Sequence, residues 1–107
     1  VFAMPVVRLD GADVGDEGVA TLARACGPLL RQVSLSRCVR VHDAGVEALA
    51  RSCARLAAAD LSHCRVGDRA LRALAAHCPG LVALDFSWNG RGVTDAGVRA
   101  VARGCPL

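Results

Sequence analysis

Four cysteines keep time along this chain. Cys26, Cys53, Cys78 and Cys105 stand 27, 25 and 27 residues apart. The segments between them resemble one another, and a self-similar period in this range marks a solenoid. One unit runs CGPLLRQVSLSRCVRVHDAGVEALARS, the next CARLAAADLSHCRVGDRALRALAAH, and the third CPGLVALDFSWNGRGVTDAGVRAVARG. The opening VFAMPVVRLDGADVGDEGVATLARA fits the same frame, with Val1 in the cysteine position. The chain divides into repeats 1–25, 26–52, 53–77 and 78–104, and a fifth begins at 105, all within a single domain spanning 1–107. Neither end has the look of a natural terminus, so an uncapped fragment of something longer is expected.

Each unit carries two periodicities. Its first half alternates, through Val7 and Leu9, Val33 and Leu35, Ala59 and Leu61, Leu84 and Phe86, the pattern of a short strand with one buried face. Its second half is helical: Val19, Leu22 and Ala23 recur at i, i+3 and i+4, as do Val46, Leu49 and Ala50, then Leu71, Leu74 and Ala75, then Val98, Val101 and Ala102. Asp16, Asp43, Asp68 and Asp95 mark helix starts, where a carboxylate accepts backbone N–H groups and faces the positive helix pole. Thr94 is an equally good cap. Arg24, Arg51 and Arg103 stand near the negative poles. One such unit cannot bury its apolar face alone. Stacking the units gives a right-handed α/β coil, with short parallel strands on the concave face and helices on the convex face.

These residues resemble a family. Cys, then Leu-x-Leu, then Cys or Asn, then Val-x-Asp-x-Gly-Val, then Leu-Ala before the next Cys is similar to the cysteine-containing subtype of leucine-rich repeats, familiar from F-box proteins that select substrates for ubiquitin ligases. The resemblance implies a protein-interaction module, with substrate recognition in an F-box-type ligase subunit as its leading role. It also implies reduced, buried thiols and an intracellular setting, cytoplasmic or nuclear. An F-box adaptor and a cullin would be reached only through parts of the parent outside this chain. The alternative is a scaffold segment held inside a large assembly, such as ciliary or other multi-subunit machinery. Three departures stand out. Ala12 takes the place of Cys38, Cys64 and Asn89. Ala59 replaces a leucine. Ala70 replaces the glycine seen at Gly18, Gly45 and Gly97. The third unit is therefore expected to pack most thinly, and the turn at Ala12 to be least well tied.

Chemistry other than binding finds little support. No Cys-x-x-Cys pair exists, and His63 beside Cys64 on an extended segment faces the opposite way. The acidic stretch Asp10 to Gly18 lacks alternate oxygen donors for calcium, being broken by Ala12 and Val14. The Gly90 and Gly92 segment lacks the remainder of a phosphate loop. No catalytic residue, cofactor or metal is expected. All 13 basic residues are Arg, without a cluster, and the net charge is only +3, which argues against nucleic acid. No apolar run approaches membrane-spanning length, and no leader is apparent. At 53% hydrophobic and 21% charged residues the chain is not disordered.

Binding is expected on the concave face. Between the buried strand positions lie Arg8, Ser34, Asp60 and Asp85, followed by Asp10 and, at the strand exits, Arg37, His63 and Trp88. Trp and Arg are enriched in interface hot spots. Trp88, the single Trp, either anchors a partner or packs over its own strand edge or a further unit. Asp60 and Asp85 on adjacent strands would hold like charges together, which hints at a partner carrying positive charge.

Overall fold

The computed structural model describes residues 6–106. Four strands and four helices alternate along the chain: β1 (Val6–Arg8), α1 (Asp16–Cys26), β2 (Gln32–Ser34), α2 (Asp43–Ser52), β3 (Ala58–Asp60), α3 (Asp68–His77), β4 (Ala83–Asp85) and α4 (Asp95–Gly104). Short 3-10 turns at Gly27–Leu29 and Gly90–Gly92 complete the path. The strands form one parallel sheet in the order β1-β2-β3-β4, and each helix packs on the next. The result is a leucine-rich-repeat-like solenoid, with the sheet on one side and the helices on the other.

The register follows the sequence frame. Val7, Val33, Ala59 and Leu84 are direct partners across the sheet, and Arg8, Ser34, Asp60 and Asp85 form the neighbouring row. Side chains alternate between the two faces of a strand. The first row therefore turns inward and the second outward. Val33, Leu35, Leu49, Leu61, Leu71 and Leu74 are fully or almost fully buried, and the helix stripes supply the opposite wall of the core. Ala59 and Ala70, the small residues of the third unit, are buried as well. On the strand side, an open hollow of about 380 Å³ runs across the sheet, lined by residues of all four units from Arg8 and Ser34 to Asp60 and Leu84.

Five cysteines are buried, Cys26 is half-buried, and all six thiols are free. Their roles differ by position. Cys53 and Cys78, at the helix ends, donate weakly to the Ala23 and Ala50 carbonyls of the preceding helix, at 3.8 and 3.7 Å. Cys38 and Cys64, in the turns after the strands, donate to the Leu9 and Leu35 carbonyls of the preceding unit, both at 3.0 Å. Asn89 takes that place in the fourth unit. Its Nδ2 donates to the Leu61, Phe86 and Ser87 carbonyls, at 2.8, 2.9 and 3.1 Å, while its Oδ1 accepts from Val66 N–H at 3.1 Å. Ala12 has no side chain for this task, and its turn rests on a backbone bond from Ala12 N–H to the Leu9 carbonyl.

The helix-start aspartates act differently from the expectation. Asp16, Asp43 and Asp68 each cap the helix of the next unit, not their own. Asp16 Oδ1 accepts from His42 N–H at 2.7 Å and Gly45 N–H at 3.0 Å, at the start of α2. Asp43 does the same for Gly67 and Ala70 at the start of α3, at 2.7 and 3.2 Å. Asp68 accepts from Thr94 N–H at 2.8 Å and from the Thr94 hydroxyl at 2.5 Å, before α4. The reason is geometric. An Asp at the first helical position projects sideways across the stack, towards the unpaired N–H groups of its neighbour. Gly45 explains the glycine of the pattern: a Cβ there would stand 2.5 Å from Asp16 Oδ1.

Candidate functional site

The expected site residues separate into three rows on the strand side. Arg8, Ser34, Asp60 and Asp85 form the strand row. Asp10 lies one step on, in line with Ser36, Ser62 and Ser87. Its carboxylate accepts from the Ser34 hydroxyl and from Ser36 N–H, the latter at 3.1 Å. Arg37, His63 and Trp88 lie further out, on the turns at the strand exits.

The carboxylates are held rather than floating. Asp60 Oδ1 accepts from the N–H of Ser62 at 2.9 Å and from its hydroxyl at 2.6 Å. Asp85 repeats both bonds with Ser87 at 2.9 and 2.6 Å. Those hydrogen bonds, foremost that from the Ser87 hydroxyl, hold the Asp85 carboxyl below its usual range. Among the described residues the ion pairs lie elsewhere, as Arg40–Asp13, His42–Asp16 and Arg69–Glu47. Asp10, Asp60 and Asp85 thus present fixed negative charge on the strand side without a cation paired to them.

The outer row has its own geometry. Gly11, Arg37, His63 and Trp88 all adopt positive φ, at 72°, 64°, 56° and 60°. For a residue with a side chain this left-handed conformation costs about 1–2 kcal/mol. It is maintained because the chain must turn sharply at each strand exit and still hand an N–H to the next unit. Gly11, Arg37 and His63 donate to the Ser36, Ser62 and Ser87 carbonyls at 2.8, 2.9 and 3.0 Å. The turn throws the side chains outward. Arg37 and His63 are exposed, and Trp88 is 77% exposed. The His63 and Trp88 rings stack, with centroids 5.7 Å apart and an interplanar angle of 11°. Trp88 therefore lies against the ring of His63. His63 and Cys64 part company as expected, the ring outside and the thiol bonded inward to the Leu35 carbonyl.

Two features escaped the sequence reading: the left-handed row and the neighbour-capping aspartates. Each had a glycine as its signal. Gly11 aligns with Arg37, His63 and Trp88, and Gly18, Gly45 and Gly97 follow the aspartates by two residues.

A family model described as leucine rich repeat matches residues 28–50, 60–75 and 77–102, more than half of the chain. The chain belongs to the leucine-rich-repeat family. Among solved structures, one titled Leiomodin-1 Actin-Binding Site 2 is similar to it, with a TM-score of 0.73 at 14% identity. The match covers 94% of this chain and 62% of that one, so the repeat chain spans less than two thirds of its structural neighbour. At this identity the likeness is one of fold. Repeats of this family serve as non-catalytic interaction modules, and protein partners are the coarse reading that family and fold support. No helix among the described residues is long and apolar enough to cross a membrane.

Proposed function

We propose that this repeat array recognises a protein partner through its strand side and the row at the strand exits, with Trp88 as the anchor. The observation that carries the reading is the exposed Trp88 ring stacked on His63, held outward by a left-handed backbone. Large exposed aromatics fixed by their neighbours lose little conformational freedom on binding. The carboxylates of Asp10, Asp60 and Asp85, oriented and without a paired cation, favour a partner segment bearing Arg or Lys. Arg8 and Arg37 at the same surface set the register against acidic side chains. Within the parent protein we assign this recognition to the substrate-binding repeats of an F-box-type ubiquitin-ligase subunit, in a reducing intracellular compartment. The resemblance of the repeats to the cysteine-containing subtype and the six free thiols support that assignment.

A second reading, a scaffold segment within a large assembly, draws its support from the exposed apolar side chains of Leu29, Val39, Val82 and Val98. Affinity purification of the full-length parent from its own cells, followed by mass spectrometry, separates the two. The ligase reading expects an F-box adaptor and a cullin, plus a client that is lost with Trp88→Ala while adaptor and cullin remain. Their absence, together with fixed stoichiometry in a large structure, would establish the scaffold and overturn the ligase.

A further inference from the structure

The outward face of the sheet changes character from one unit to the next. Two residues of each strand turn outward: Gln32 and Ser34 on β2, Ala58 and Asp60 on β3, Ala83 and Asp85 on β4. On β1, Arg8 holds the place of Ser34. The hollow of about 380 Å³ crosses these positions. Towards β1 it is walled by the Arg8 cation and by the long side chain of Gln32. Over the third and fourth units the wall falls away to the methyl groups of Ala58 and Ala83, with Asp60 and Asp85 beside them in register.

That tile has an apolar floor and an anionic rim. Ser62 and Ser87 donate to Oδ1 of Asp60 and Asp85. Oδ2 of each accepts from no protein donor among the described residues. The two carboxylates lie one strand spacing apart, about 4.8 Å, and like charges so placed repel. A cation that reaches both offsets the repulsion. A guanidinium spreads five N–H donors in one plane, enough for two acceptors, whereas an ammonium is a point charge. Its methylene stem also covers small apolar side chains.

We propose that the hollow takes one arginine side chain from an extended segment of the partner, its stem on Ala58 and Ala83 and its guanidinium across Asp60 and Asp85, with an acidic residue of the same segment on Arg8. This deepens the reading of the strand side as the recognition surface and rests on it. Charge complementarity selects the occupant. The row runs from positive at Arg8 through neutral at Ser34 to negative at Asp60 and Asp85. Arg8 and Asp85 stand three strand spacings apart, about 14 Å, and an extended segment covers that between its first and fifth residues at about 3.4 Å each. The segment therefore crosses the strands, and Arg8 fixes its direction by repelling a second cation.

The acetylated, amidated peptide Glu-Val-Thr-Val-Arg is the probe, titrated into the isotope-labelled chain and followed by amide chemical shifts. Shifts are expected on β3, β4 and Arg8. Lysine in place of the probe's arginine weakens binding about threefold. Asp60→Asn, which keeps an acceptor for Ser62, weakens it about fivefold. Ala58→Gln, which copies Gln32, abolishes it without altering any charge. Arg8→Gln weakens the probe but not its glutamine-for-glutamate analogue. Circular dichroism verifies that each variant is folded, and should Ala58→Gln fail to fold, the lysine probe and Asp60→Asn decide. No shifts at millimolar probe, equal binding of the lysine probe, or full binding by folded Ala58→Gln would each overturn the proposal. The full-length parent separates this failure from that of the wider reading. A client lost with Trp88→Ala but kept with Ala58→Gln removes the hollow and leaves the recognition surface. A client kept with both removes both.

Discussion

A cysteine in this array is a small apolar residue with a weak donor, and its chemistry follows from where the thiol lies. Burial pushes the thiols of Cys53 and Cys64 up to about 11 and that of Cys78 to about 12, and raises Cys38 and Cys105 in the same direction. Thiolate is the reactive form. An aromatic disulfide reagent near neutral pH should therefore label Cys26 in the native chain and the other five only after unfolding. Simultaneous labelling of all six would contradict the burial. The same shift predicts a pH dependence. The unfolded chain releases these protons near the ordinary value of 9, the folded chain only above it, so the folded state binds more protons in between. Stability is complete below the unfolded value and falls as pH rises towards 11 to 12. Urea midpoints that decline above about pH 9 would show it. Asn89 performs the Cys38 and Cys64 task with four hydrogen bonds instead of a thiol contact. Asn89→Ala leaves carbonyls of two units short of a donor and should cost about 1–3 kcal/mol in a urea titration.

At the scale of one strand or helix, most of the architecture was legible before any coordinates. Alternation placed Val33 and Leu35 inward, and the 3.6-residue stripe placed Leu49 and Leu74 against them, because each element must bury one face regardless of partner. The aspartates at helix starts were legible as capping residues, but not the helix they cap. That depends on the direction of a side chain across a gap of 24 to 29 residues, which no local window contains. The same blindness hid the left-handed row. Arg37, His63 and Trp88 are poor residues for positive φ, and only the stacked turn with its N–H handed to the next unit overrides that preference. Of the expected binding residues, the strand row followed from register, while the His63–Trp88 stack needed the turn geometry. The cross-unit cap gives a sharp test. Asp43→Ala removes the acceptor for Gly67 and Ala70 N–H and should destabilise the start of α3 by about 1 kcal/mol. Amide exchange at Ala70 should quicken, with Val46 in the residue's own helix unchanged. Acceleration confined to α2 would show that the aspartate caps its own helix after all.

Across the described residues, the main contacts run between consecutive units: the sheet order follows the chain order, and neighbouring helices pack on one another. Stability in such an array is a sum of unit terms and nearest-neighbour terms, so the units with two neighbours are held best. The second and third units, carrying α2 and α3, have two each, while the first lacks a turn ligand at Ala12. Local opening should follow that order. Hydrogen exchange should find the amides of α2 and α3 slowest and those of β1 and α1 fastest. Asn89→Ala extends the test, because Asn89 ties its own turn to Leu61 and Val66 of the preceding unit. Protection should fall in the third and fourth units together and stay level in the first. Equal loss over all four helices would mean that the chain opens as a single block, with no gradient between neighbouring units.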